Sequence, residues 1–117
     1  MIRGFMALIR GFMASLAAAG LVAATAATAQ DADFQIAIKD HRFVPAELEV
    51  PAGKRIRLIV DNQDRTPEEF ESRSLRLEKV IPGRTKVAFM IGPLKQGRYA
   101  FVGEFHESTA QGVLVAR

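Results

Sequence analysis

From Pro45 onward the chain is cut at short intervals by residues that end regular structure: Pro51-Ala52-Gly53, Pro82-Gly83, Gly92-Pro93 and Gln96-Gly97. Proline lacks the backbone donor that a ladder or helix interior needs, and glycine and proline together favour turns, so no long element runs through these points. The stretches between them alternate. Phe34-Gln-Ile-Ala-Ile38 sets large apolar residues on one face, and Lys54-Arg-Ile-Arg-Leu-Ile-Val-Asp61 does the same with Ile56, Leu58 and Val60 inward, the pattern of strands with one wet face. Phe43-Val-Pro45 and Leu48-Glu-Val-Pro51 read as an extended crossing, and residues 75–80, 85–91, 98–105 and 112–116 each suit a strand. No segment of useful length has a helical period, although a short helical turn fits within residues 64–76. Six or seven short strands predict an all-β chain, an antiparallel or mixed β-sandwich. Its core takes Tyr99, Phe101, Phe89, Val87, Leu58 and Val60, in which the aromatic rings bury large areas at low entropic cost.

The first 29 residues have a different character. Arg3 and Arg10 give a positive start, residues 16–27 are almost entirely apolar and small, and Ala27-Thr28-Ala29 offers a small-x-small cleavage site. That arrangement predicts a secretory signal peptide over residues 1–29, hence a periplasmic protein, with retention as an N-terminal anchor as the alternative. Ile2-Arg-Gly-Phe-Met-Ala7 recurs as Ile9-Arg-Gly-Phe-Met-Ala14, a short duplication confined to this leader. Without Arg3 and Arg10, 14 basic residues face 13 acidic ones, so the net charge of residues 30–117 is +1. No run of Lys and Arg interleaved with aromatics marks a nucleic-acid groove, and nucleic acid is discounted as a partner. The chain has no cysteine, so a single small domain is held by sheet packing without disulfides. No Ser/His/Asp or Cys/His arrangement and no phosphate loop appears, which argues against a hydrolase or transferase.

The end of the chain, Arg98-Tyr-Ala-Phe-Val-Gly-Glu-Phe-His-Glu-Ser-Thr-Ala-Gln-Gly-Val-Leu-Val115, resembles the last hairpin of a cupredoxin, where Tyr-x-Phe-x-Cys-x-x-His-x-x-x-Met-x-Gly is expected. Gly103 stands at the Cys position, Ala110 at the Met position, and His106 at the His position. Upstream, Phe43-x-Pro45, Val50-Pro-Ala-Gly53, Leu58-x-Val-x-Asn62 and Pro67-Glu-Glu-Phe70 follow the same family order, with Glu68 where a first His is usual. The resemblance implies a cupredoxin-like Greek-key β-sandwich over residues 30–117 with a metal site at one end. With three of four copper ligands replaced, a type-1 blue copper centre is excluded, since it requires a thiolate.

Glu69-Phe-Glu-Ser72, Leu77-Glu-Lys79, Gly92-Pro-Leu-Lys95, Gly97-Arg-Tyr99 and Gly103-Glu-Phe-His106 are similar to the EfeO-type periplasmic cupredoxin of bacterial ferrous-iron uptake systems, in its single-domain version. That resemblance implies an iron or copper ion as cofactor, an iron permease or other periplasmic component as partner, and a part in binding, delivering or helping to oxidise Fe(II). The expected metal ligands are Glu69, Glu71, Glu104 and His106, with Glu68 and Glu78 as further candidates. In an extended chain Glu69 and Glu71 share one face opposite Phe70, and Glu104 and His106 share one opposite Phe105. Three carboxylates and one imidazole suit Fe(II), Fe(III), Mn(II), Zn(II) or Cu(II) and disfavour Cu(I). A plainer reading stands beside this one: the acids form the charged face of an edge strand that resists pairing, and His106 is a surface histidine between Glu104 and Glu107. His41 reads as a surface-loop residue at the opposite edge, and Met90 as core. Besides the metal-binding accessory protein, a metal-free β-sandwich interaction module docking to a membrane permease is the alternative.

Overall fold

The structure is a computed structural model that describes residues 32–117, together with Gly20. The leader expected over residues 1–29, with its internal duplication, lies outside the described residues apart from that glycine. Nine strands follow in order: β1 (Ala32–Lys39), β2 (Arg42–Val44), β3 (Glu47–Val50), β4 (Ile56–Asn62), β5 (Glu68–Ser72), β6 (Leu77–Ile81), β7 (Thr85–Ile91), β8 (Gly97–Gly103) and β9 (Gln111–Ala116). One 3₁₀ turn, Glu104–His106, lies between β8 and β9.

The strands form two sheets, ordered β2-β1-β4-β7 and β3-β9-β8-β5-β6. Pairing is mixed: β1 with β4 and β3 with β9 are parallel, and the other pairs are antiparallel. The all-β sandwich is therefore the observed fold, with the expected extended crossing resolved into β2 and β3. The helical turn expected within residues 64–76 is absent; the chain there forms β5 and then a hydrogen-bonded turn before β6. Phe70 explains the outcome, because period-2 spacing lets it reach the core while its neighbours stay outside.

Alternation drives the sandwich together. Ile36, Ile38, Leu58, Val60, Phe89 and Ile91 project from the first sheet, and Val50, Phe70, Ile81, Phe101 and Leu114 from the second, all buried. At its centre Phe101 stacks on Phe70 with centroids 4.8 Å apart and receives the edge of Phe43 at 4.9 Å. Each such ring contributes about 1.5–3 kcal/mol by leaving water. Phe101, Phe89, Leu58 and Val60 sit in the core as the alternation predicts, while Tyr99 and Val87 pack against it half-buried.

This packing gathers several chain ends at one pole of the sandwich. The parallel register of β1 and β4 sets Ile38 beside Asn62, so the β1–β2 turn lies next to the loop leaving β4. The pairing of Phe70 with Gly103 brings the start of β5 to the end of β8.

Candidate metal centre

Glu68 begins β5, and the strand's alternation turns it inward with Phe70 and Ser72 while Glu69 and Glu71 face out. It is only 1% exposed. A buried carboxylate is costly unless its oxygens are met by donors. Here Oε1 accepts the Glu69 N–H at 3.0 Å and the Phe105 N–H at 2.9 Å, and Oε2 lies 2.5 Å from His106 Nδ1. The 3₁₀ turn makes this geometry by carrying the Phe105 N–H and the His106 ring toward the same carboxylate. Thr109 and Ala110 in turn donate their N–H groups to the His106 carbonyl.

His41 arrives from the β1–β2 turn. Asp40 and His41 have φ of 51° and 57°, the doubly left-handed pattern of a type I′ two-residue hairpin, in which glycine is the comfortable second residue. A histidine holds that position because Asp64 supports the turn. Its Oδ1 accepts the Asp40 N–H at 2.8 Å, its Oδ2 accepts the His41 N–H at 2.9 Å, and His41 Nδ1 lies 3.5 Å from the same Oδ2. Burial alone would raise the Asp64 pKa, yet the His41 and Asp40 N–H groups and the neighbouring histidines hold it below the ordinary carboxylate value. Asn62, wholly buried, anchors this loop by accepting the Asp64 N–H and donating to the carbonyls of Thr66 and Ile81. From the far side Thr109 Oγ1 donates to the His41 carbonyl at 2.6 Å.

The two imidazoles stack, with centroids 3.6 Å apart and planes 12° from parallel. One donor atom from each of His41, Glu68 and His106 lies within 4.8 Å of the others, a convergent group among the described residues. Two imidazoles and one carboxylate match the facial-triad donor set of non-haem Fe(II) sites and also suit Zn(II) and Cu(II). The positions that correspond to sulfur ligands close the site from behind. A Cβ added to Gly103 would lie 2.6 Å from Ala110 Cβ, 2.7 Å from Glu68 Cδ and 2.9 Å from Glu68 Oε1. Glu68 thus fills the space a cysteine side chain would need, and the residues present do not fit a type-1 copper centre.

The other expected ligands gather elsewhere. Glu69 and Glu71 stand on the outer face of β5, Glu71 pairs across the ladder with Glu78, and Glu104 hydrogen-bonds Glu69. This contact, reinforced by the charge of Glu69, raises the Glu104 pKa. Desolvation and the charges of Glu104, Glu78 and Glu107 raise that of Glu71 against the opposing pull of Arg73. Glu104 and His106 therefore do not share a strand face: the chain leaves β8 for the 3₁₀ turn at Glu104, and Phe105 is 49% exposed. Nor is β5 an edge strand, since it lies between β8 and β6. His106 meets Glu68 rather than Glu69, Glu71 or Glu104. His41, expected at the opposite edge, stacks directly on His106. Its signal in the sequence is a histidine in a tight Asp-His turn where glycine is usual; that of Glu68 is its place two residues before an inward Phe70.

A two-sheet sandwich with a polar donor cluster at one pole, built in part from the last hairpin, defines the cupredoxin class. The chain belongs to the cupredoxin-like domain family, whose sequence profile matches residues 12–116. It is 46% identical over 83 residues to the uncharacterized protein RP394 of Rickettsia prowazekii (strain Madrid E), an alignment covering 71% of this chain and 66% of that protein. Among solved structures it is similar to auracyanin A, a blue copper protein of Chloroflexus aurantiacus, with TM-score 0.64 and 15% identity over 75% of this chain and 100% of that one. It is also similar to a purple cupredoxin of Nitrosopumilus maritimus, with TM-score 0.55 and 19% identity over 74% of this chain and 100% of that one. At such identities the likeness is one of fold. The cupredoxin-like fold points to metal binding or electron transfer, and the absence of cysteine removes the blue-centre form of either.

Proposed function

We propose that the chain is a periplasmic metal-binding protein that binds and hands on Fe(II) as an accessory of a ferrous-iron uptake system, with His41, Glu68 and His106 as the ligands. The observation that carries this reading is the convergence of two imidazoles and a buried carboxylate at the pole where the family holds its metal. Hard oxygen and imidazole nitrogen, with no sulfur, favour iron, Zn(II) or Cu(II) over Cu(I). Glu68 Oε1 is held by two backbone N–H groups, which leaves Oε2 to serve a cation in place of the His106 contact. Three protein donors leave positions open for exchange, as delivery to a permease requires. Export through the N-terminal leader places the protein where such a permease would receive the ion.

Calorimetric titration of the purified protein with Fe(II), Cu(II) and Zn(II) tests this. One site is expected, and His41→Ala or His106→Ala should each weaken it by more than the about 10–100-fold that loss of an outer partner costs. Glu69→Gln with Glu71→Gln should leave it nearly intact. A site lost in the Glu69/Glu71 variant and kept without His41 would move the centre to the outer acidic face. Any part in Fe(II) oxidation would need dioxygen or bound copper to accept the electron, and would appear as oxygen uptake matched to Fe(II) loss.

One observation favours the metal-free docking module. Glu68 is fully partnered by protein donors, and no buried side-chain polar atom among the described residues lacks a partner. Absence of binding by any of the three ions would establish that reading.

A further inference from the structure

Beside His41 lies an open groove of about 620 Å³. Lys39, Arg65 and Arg84 line it, and all three are exposed. Among the described residues the ion pairs engage Arg57, Arg98, Arg117 and the two histidines, and none engages these three cations. Two aspartates share the lining, exposed Asp40 and Asp64, whose carboxylate accepts the N–H groups of Asp40 and His41, so three cations face two acidic charges. The walls are fixed by backbone bonds: Gln63 N–H donates to the Ile38 carbonyl and Arg84 N–H to the Asp64 carbonyl, both at 2.8 Å. Three of the four non-glycine residues with left-handed backbone, Asp40, His41 and Arg84, line this one groove. Backbone strain of this kind is retained where side chains are needed in place.

We propose that the groove is an anion subsite of the metal centre, taking a small oxyanion with two or more charges, of the dicarboxylate or phosphate class. Cations carried on walls whose backbone is already bonded in place bind such a ligand without the entropic cost of ordering a loop. The anion half of the proposal stands on the groove. Its coupling to metal rests on the reading of His41, Glu68 and His106 as ligands, since an oxyanion seated beside His41 can supply an oxygen to the positions that three protein donors leave open. The ion would then be taken up together with an anionic companion.

Malonate and inorganic phosphate, titrated separately into the metal-free protein and followed by backbone amide shifts, form the first arm. Saturable shifts are expected at Lys39, Arg65 and Arg84, and sodium chloride at matched ionic strength should not reproduce them. Lys39→Gln and Arg65→Gln should each weaken binding about threefold to tenfold, the range for one exposed charge-assisted contact, whereas Lys95→Gln, outside the groove, should not. Shifts that follow ionic strength alone, or that survive in the Lys39/Arg65 double variant, would overturn the subsite. The second arm repeats the Zn(II) titration with and without malonate, and tighter apparent binding with the anion is expected only while Lys39 and Arg65 are present. Anion binding without metal binding would keep the groove and remove the metal centre; metal binding without saturable anion binding would do the reverse.

Discussion

Gly103 and Glu68 behave as one substitution split between two strands. Removing the side chain at the end of β8 opens a space, and the carboxylate from β5 enters it, held by two backbone donors and His106. Restoring a thiol at one of these positions does not restore the older chemistry. Gly103→Cys is expected to give no intense visible band with Cu(II) and to lose about 1–3 kcal/mol of stability, the usual cost of overpacking a filled site. Absorption spectra with copper and urea unfolding curves check both halves. At this scale the sequence was half legible. Absence of the sulfur ligands is plain in Gly103 and Ala110, and His106 is marked by its place in the hairpin. The inward turn of Glu68 follows from alternation through Phe70, but a buried carboxylate becomes intelligible only once its three donors are seen, and two of those come from a turn 37 and 38 residues away.

Among the elements, the β1–β2 hairpin carries the plainest conflict between stability and function. Its second turn residue has φ of 57°, and a side chain there is retained at a cost in backbone strain. His41→Gly should therefore raise the unfolding free energy by about 0.5–1 kcal/mol, the scale of a strained non-glycine residue relieved, while metal affinity falls. Chemical denaturation paired with metal titration reads the two effects, and a variant both less stable and still metal-binding would contradict this account. Strands with large alternating residues, β1, β4 and β7, were legible because period 2 and flanking turns state them directly. Residues 104–106 were not, because Glu-Phe-His alternates polar and apolar as a strand does. The contacts that accompany the 3₁₀ turn, of Phe105 N–H and the His106 ring with Glu68 and of the His106 carbonyl with Thr109 and Ala110, have no mark in that pattern. Pairing was illegible for a different reason: the parallel contact of β1 with β4, which delivers His41 to the site, joins strands whose patterns fit many registers.

Over the whole molecule, charge is sorted around the metal pole. Glu69, Glu71 and Glu78 stand on β5 and β6 with Glu104 and Glu107 near them in the turn after β8, while Lys39, Arg65 and Arg84 line the groove beside His41. The crowding makes stability depend on pH. Glu71 and Glu104 bind protons more tightly in the folded chain than at their ordinary value of 4.5. Their contribution is therefore most favourable below that value and is lost as pH rises through their higher folded values. Glu104→Gln should remove part of this fall, so that the variant gains stability relative to wild type near neutral pH and the gap narrows in acid; thermal unfolding across pH 4–8 measures it. A gap that widened in acid would mean that the acidic face is held together by contacts other than the shared proton.

Gly103 and Ala110 have one more consequence. Every donor of the candidate centre is nitrogen or oxygen, and the chain has no thiol at all. Sulfur ligands climb an oxidation ladder that ends beyond repair, and ferrous iron meeting oxygen generates the peroxide that drives it. A site built from His41, Glu68 and His106 has no rung on that ladder, so sulfur oxidation cannot strip it of a ligand.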